Sequence, residues 1–140
     1  MWQLINPLIR RGTRFQYTYY YPEPPPSSQA AIRLSRSNSA DLAKHPIHAS
    51  ISALDHEAME ILTMPPNNAQ LAHHYFADYL ARTKNTICGR HPIGVLLGAL
   101  RILEAEGRAP NLKWVRYEQS SACKNINDSS VSYASAYITF

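Results

Sequence analysis

Residues 13–21 read Thr-Arg-Phe-Gln-Tyr-Thr-Tyr-Tyr-Tyr, and Pro-Glu-Pro-Pro-Pro follows directly. Alternation places Phe15, Tyr17, Tyr19 and Tyr21 on one side of an extended chain, with Arg14, Gln16, Thr18 and Tyr20 on the other. Aromatic and β-branched residues favour a strand, and the proline run stops it. One face of this strand is aromatic and the other is basic and polar. The stretch restricts the fold to one containing a sheet near the N-terminus. It names no reaction.

The chain has 140 residues, a length suited to one domain with a real core. Hydrophobic residues make up 45%, which argues against wholesale disorder. The formal charge of +4 permits a polyanionic partner without requiring one. Cys88 and Cys123 form neither a CxxC pair nor a dense cysteine framework. They read as reduced thiols in a cytoplasmic protein. Met1 to Arg11 lacks the apolar run and cleavage site of a signal peptide. The longest apolar tract, Pro92 to Leu100, is too short to span a bilayer, so no membrane association is expected.

Along the chain, Trp2 to Ile9 suits a helical turn or a short strand. Residues 22–28 form a stiff proline-rich loop within a single domain of residues 1–140. Ala30 to Arg36 alternates as a second strand, and Pro46 to Ala53 alternates as a third. A helix is expected from Ser52 or Asp55 to Thr63, closed by Pro65 and Pro66. Asn67 or Asn68 caps the next helix, which runs to about Lys84 on a stripe of Ala72, Tyr75, Phe76, Tyr79 and Leu80. A third helix starts with His91 as cap and Pro92 in the first position, and Gly107 ends it. Its first half is apolar all round, which predicts a buried central helix. Gly94 and Gly98 share a face and would let another backbone approach. Two more strands follow, Leu112–Gln119 and Val131–Phe140, separated by a polar loop at 120–130. In the last, Tyr133, Ser135, Tyr137 and Thr139 oppose Ala134, Ala136, Ile138 and Phe140.

This order predicts an α+β fold, an antiparallel sheet of N- and C-terminal strands packed against two or three central helices.

Candidate chemistry is sparse. The six histidines include His45, His48 and His56, near Asp55, Glu57 and Glu60, but the HExxH spacing is absent. His73 and His74 point about 100° apart on a helix and do not share a ligand. Neither a metal nor a cofactor is expected, and no catalytic residue is assigned. Cys88-Gly89-Arg90-His91 puts a thiol beside an arginine and before a helix start, surroundings known for reactive cysteines. Basic and aromatic residues interleave at Arg10, Arg11, Arg14, Tyr20, Arg33 and Arg36, and again at Lys113 and Arg116. Such a face suits a protein partner or stacked bases and phosphates.

Three functions are weighed on these grounds. First comes a small non-enzymatic binding or regulatory protein acting through a protein–protein interface, with a homodimer as a variant. A nucleic-acid-binding protein using the basic and aromatic face ranks second. A histidine-dependent hydrolase or metal-dependent nuclease ranks third, so the chain reads as a binder ahead of an enzyme.

Overall fold

The computed structural model describes residues 2–4, 19–20, 32–33, 42, 44–125 and 127–140. The described elements run β1 (Trp2–Leu4), β2 (Tyr19–Tyr20), β3 (Ile32–Arg33), α1 (Ile47–Leu62), α2 (Ala69–Thr83), α3 (Arg90–Ala105), β4 (Asn111–Gln119) and β5 (Ser132–Thr139). β1, β5 and β4 form one antiparallel sheet in that spatial order. N- and C-terminal strands therefore share a sheet and central helices pack on it, the expected α+β arrangement. β2 and β3 lie apart from that sheet. They pair with each other, Tyr19 opposite Arg33 and Tyr20 opposite Ile32. The rest of the expected aromatic strand lies outside the described residues.

The third strand expected at Pro46–Ala53 is instead the first half of α1. Ile47, Ala49, Ile51 and Ala53 do alternate, but Ile47, Ile51, Leu54, Ala58 and Leu62 also fall on one helical face. That longer register wins because it buries all five. Each Ile or Leu so buried contributes roughly 1.5–3 kcal/mol. Residues just past α1 then join the sheet, as Met64 and Leu112 exchange backbone hydrogen bonds of 3.3 and 2.8 Å.

α2 forms where its apolar stripe predicts. The Asn68 side chain accepts from the Leu71 backbone N–H at 2.8 Å, closing the first turn. Tyr79 and Phe76 on the buried stripe stack with centroids 6.4 Å apart.

α3 begins two residues before the expected His91-Pro92 start, with Gly89 at the capping position. Arg90 can enter the helix because Ile93 N–H reaches the Gly89 carbonyl at 2.9 Å. Gly107, at φ 86°, ends the helix in the left-handed region as expected. The helix is not buried all round. Ile93, Leu97 and Leu100 enter the core, whereas Val95 is 76% and Ile102 64% exposed. No backbone from the described residues approaches Gly94 or Gly98. A methyl group added to either would meet nothing within 4 Å.

β4 carries a bulge between Trp114 and Arg116. Trp114 faces Ala136 and Arg116 faces Ser135, so Val115 is the extra residue. Strict alternation would send Trp114 and Tyr117 to opposite faces. The bulge shifts the phase by one, and both point at the helices. Trp114 donates its indole N–H to the Met59 carbonyl at 2.8 Å. β5 keeps the expected alternation, with Ser132 and Ala134 buried and Tyr133 and Tyr137 exposed.

Candidate functional site

Two places concentrate polar chemistry. The first is a buried network where α1 meets β4 and β5. Asp55 sits on the core side of α1, one residue past Leu54, and is fully buried. The Tyr117 hydroxyl, turned inward by the β4 bulge, donates to Asp55 Oδ2 at 2.9 Å. Gln119 Nε2 donates to Tyr117 Oη at 3.0 Å and to the His48 carbonyl at 2.9 Å. The ring of His56 meets the Tyr117 ring edge-on, with centroids 4.6 Å apart. Tyr79 donates to the Leu54 carbonyl at 2.9 Å, and Asn85 Nδ2 donates to Tyr79 at 2.7 Å.

Burial pushes the Asp55 carboxyl up to about 6, against hydrogen bonds from Ser132, Tyr117 and Asn85 and the nearby His56, all of which pull it down. Burial also raises the Tyr117 phenol to about 12, with the Asp55 charge adding to the effect. Desolvation raises Tyr79 further still. The Tyr117 phenol thus keeps its proton and donates it in a hydrogen bond to a carboxylate that is itself fully buried. A carboxylate in this place is what sequence reasoning missed. Its signal was a charged residue inside the stripe Ile47, Ile51, Leu54, Ala58, Leu62, visible only once the segment is read as one helix.

The second place is the turn ahead of α3. Ile87 is buried and anchors it, while Cys88 projects as an exposed free thiol. The Arg90 backbone N–H and guanidinium both donate to the Ile87 carbonyl, at 3.1 and 3.3 Å, holding the arginine's charge within the turn. His91 follows, exposed. A helix N-terminus with an adjacent guanidinium favours an anion near it. The second thiol, Cys123, is buried, and desolvation followed by the Asp128 charge pushes it up to about 11. Its backbone carbonyl accepts from both the backbone N–H and ring Nδ1 of His48, each at 3.1 Å.

The histidines near α1 do not converge on one point among the described residues, though burial and then the neighbouring His48 hold the His45 imidazole below its usual range. His48 is committed to Cys123, and His56 Nδ1 donates to the Ser52 carbonyl at 2.8 Å. Farther on, His74 pairs with Asp78 at 3.2 Å and His73 lies 3.4 Å from Arg101. Among the described residues no three His, Cys, Asp or Glu side chains converge to hold a metal ion.

The basic and aromatic positions are dispersed. Lys113 and Arg116 lie exposed on the outer face of β4, where Arg116 pairs with Glu118 at 2.6 Å. Tyr20 and Arg33 occupy β2 and β3, in the other sheet. Arg10, Arg11, Arg14 and Arg36 lie outside the described residues. No helix of the described residues is long and apolar enough to cross a membrane.

Together these features define an α+β protein with an exposed thiol at the head of a helix and a buried acid network behind its sheet. The chain belongs to the Memo-like protein family, whose sequence profile matches residues 9–137. It is 38% identical over 128 residues to Protein MEMO1 of Homo sapiens, a match covering 91% of this chain and 34% of that protein. Against Protein MEMO1 of Danio rerio it is 41% identical over 123 residues, covering 88% and 33%. The MEMO1 family protein MHO1 of Saccharomyces cerevisiae is 39% identical over 136 residues, covering 91% and 39%. The chain spans about a third of the length of the first two relatives. Family membership overturns the expectation of a small non-enzymatic binding or regulatory protein acting through a protein–protein interface, because the family is not plainly one of non-enzymatic binders.

Proposed function

We propose that this chain supplies the thiol-bearing part of a Memo-like enzyme, with Cys88 as its reactive group. The observation that carries this is the contrast between the two thiols. Cys88 stands exposed in the turn before α3 with Arg90 tied beside it, whereas Cys123 is buried and shifted to about 11. A thiol that solvent reaches is open to reagents from which a buried one is shielded. Arg90 and the head of α3 attract an anionic substrate. The family match spans this turn, which supports the reading. Two free cysteines accord with a cytoplasmic location. Protein partners and a regulatory role also accord with the family, alongside the chemistry at Cys88.

Alkylation of the intact chain by iodoacetamide, mapped by mass spectrometry, tests the assignment. Cys88 is expected to react first, with Cys123 protected until the chain unfolds. Arg90→Ala should slow the reaction at Cys88. Equal reaction at both thiols, or a Cys88 rate indifferent to Arg90→Ala and no greater than in the urea-unfolded chain, refutes the reading.

A further inference from the structure

α3 is built with two faces that both suit packing. One enters the core through Ile93, Leu97 and Leu100. On the opposite side, His91, Val95, Gly98, Ala99, Ile102 and Glu106 form a stripe. The steps His91 to Val95, Gly98 and Ile102 are four, three and four residues, the 3–4 spacing of a helix–helix seam. Val95 and Ile102 are the two most exposed large apolar residues of the helices. Between them Gly98 leaves an open notch. An apolar seam of this kind exposed to water marks an interaction surface.

The stripe carries its own complement. When a second α3 is laid antiparallel, Val95 of one copy meets Ile102 of the other, Gly98 meets Ala99, and His91 meets Glu106. Small residues at the centre let the two helices approach closely. At each end His91 of one helix faces Glu106 of the other. The helix dipoles also oppose. A parallel pair would instead place Glu106 against Glu106 and His91 against His91.

We propose that two copies of this chain associate antiparallel through the outer stripe of α3. The interface is isologous, with a two-fold axis passing between Gly98 and Ala99. Sedimentation equilibrium of the full chain over a concentration series tests it. The wild type is expected to dimerise, and Ile102→Glu to be monomeric with an unchanged far-ultraviolet circular dichroism spectrum. Should Ile102→Glu fold poorly, Val95→Ser serves the same purpose. Glu106→Lys should weaken association by roughly a hundredfold, because the two-fold axis makes it remove two His91–Glu106 contacts, each worth about tenfold. His91→Glu combined with Glu106→Lys should restore it. A wild type that stays monomeric throughout overturns the proposal. So does a dimer indifferent to both apolar substitutions, or a double charge variant as weak as Glu106→Lys alone.

Discussion

Asp55 shows how one side chain can tie three elements together at a cost that depends on pH. It lies on α1 and receives the Tyr117 hydroxyl from β4, while Ser132 approaches from β5. Desolvation raises its folded-state pKa from an ordinary 3.8 to about 6. Below the lower value, folded and unfolded chains both hold the proton. Between the two values only the folded chain holds it. Stability is therefore greatest on the acid side of this window and declines as pH rises through about 6. A shift of about two units corresponds to roughly 3 kcal/mol. Asn in place of Asp55 keeps an oxygen for Tyr117 and removes the titration. Urea denaturation at pH 4 and pH 7 should show the wild type losing stability relative to Asp55→Asn on going to the higher pH, by about 2–3 kcal/mol. Parallel curves for the two proteins would show that the carboxyl titrates normally. The sequence made this residue visible as a candidate helix start and as one member of the Asp55-His56-Glu57 cluster, but not as a buried group, because a carboxylate's burial depends on where its helix begins.

At the scale of elements, the legible features were those set by local chemistry. α2 was read from its stripe and its Asn68 cap, α3's end from Gly107, and β5's two faces from its alternation. The features that escaped were set by partners distant in sequence. α1 was split because its first eight residues satisfy both periods, and only the core beneath Leu54, Ala58 and Leu62 decides between them. The phase change in β4 was equally hidden, since no residue type marks Val115 as the bulge. That position carries a testable consequence. Deleting Val115 should convert the ladder to regular pairing while leaving Trp114 and Tyr117 inward, because Arg116 already faces Ser135. The deletion variant is expected to fold cooperatively, with a loss within the ordinary range of about 0.5–3 kcal/mol for a single change. Deleting Lys113 instead throws Leu112 or Trp114 out of phase and should remove the cooperative transition. Near-ultraviolet circular dichroism, which reports the packing of Trp114, separates the two. A Val115 deletion as damaging as the Lys113 deletion would show that the bulge has a role of its own in the fold.

At the scale of the whole molecule, α3 links folding and association through the same backbone. Its inner face closes the core of α2, β4 and β5. Its outer face holds the seam through which the second copy is proposed to dock. A residue can serve one of these at the expense of the other, and Gly98 is where they meet. Within a single chain, glycine at this helix position lowers stability, because it adds conformational freedom to the unfolded state and contributes no contact. A methyl group placed there clashes with nothing within 4 Å. Gly98→Ala should therefore stabilise the monomer by about 0.5–1 kcal/mol. In an antiparallel pair the same methyl group sits at the centre of the seam, where the two helices are closest, and holds them apart. Thermal unfolding at a concentration low enough to leave the chain monomeric should show a higher midpoint for Gly98→Ala than for wild type. Sedimentation at high concentration should show weaker association. The opposition of these two effects distinguishes a notch retained for a partner helix from a glycine of no consequence. A variant that is more stable and dimerises as well as wild type would place the contact elsewhere on the molecule, and one that is less stable would contradict the open space beside Gly98.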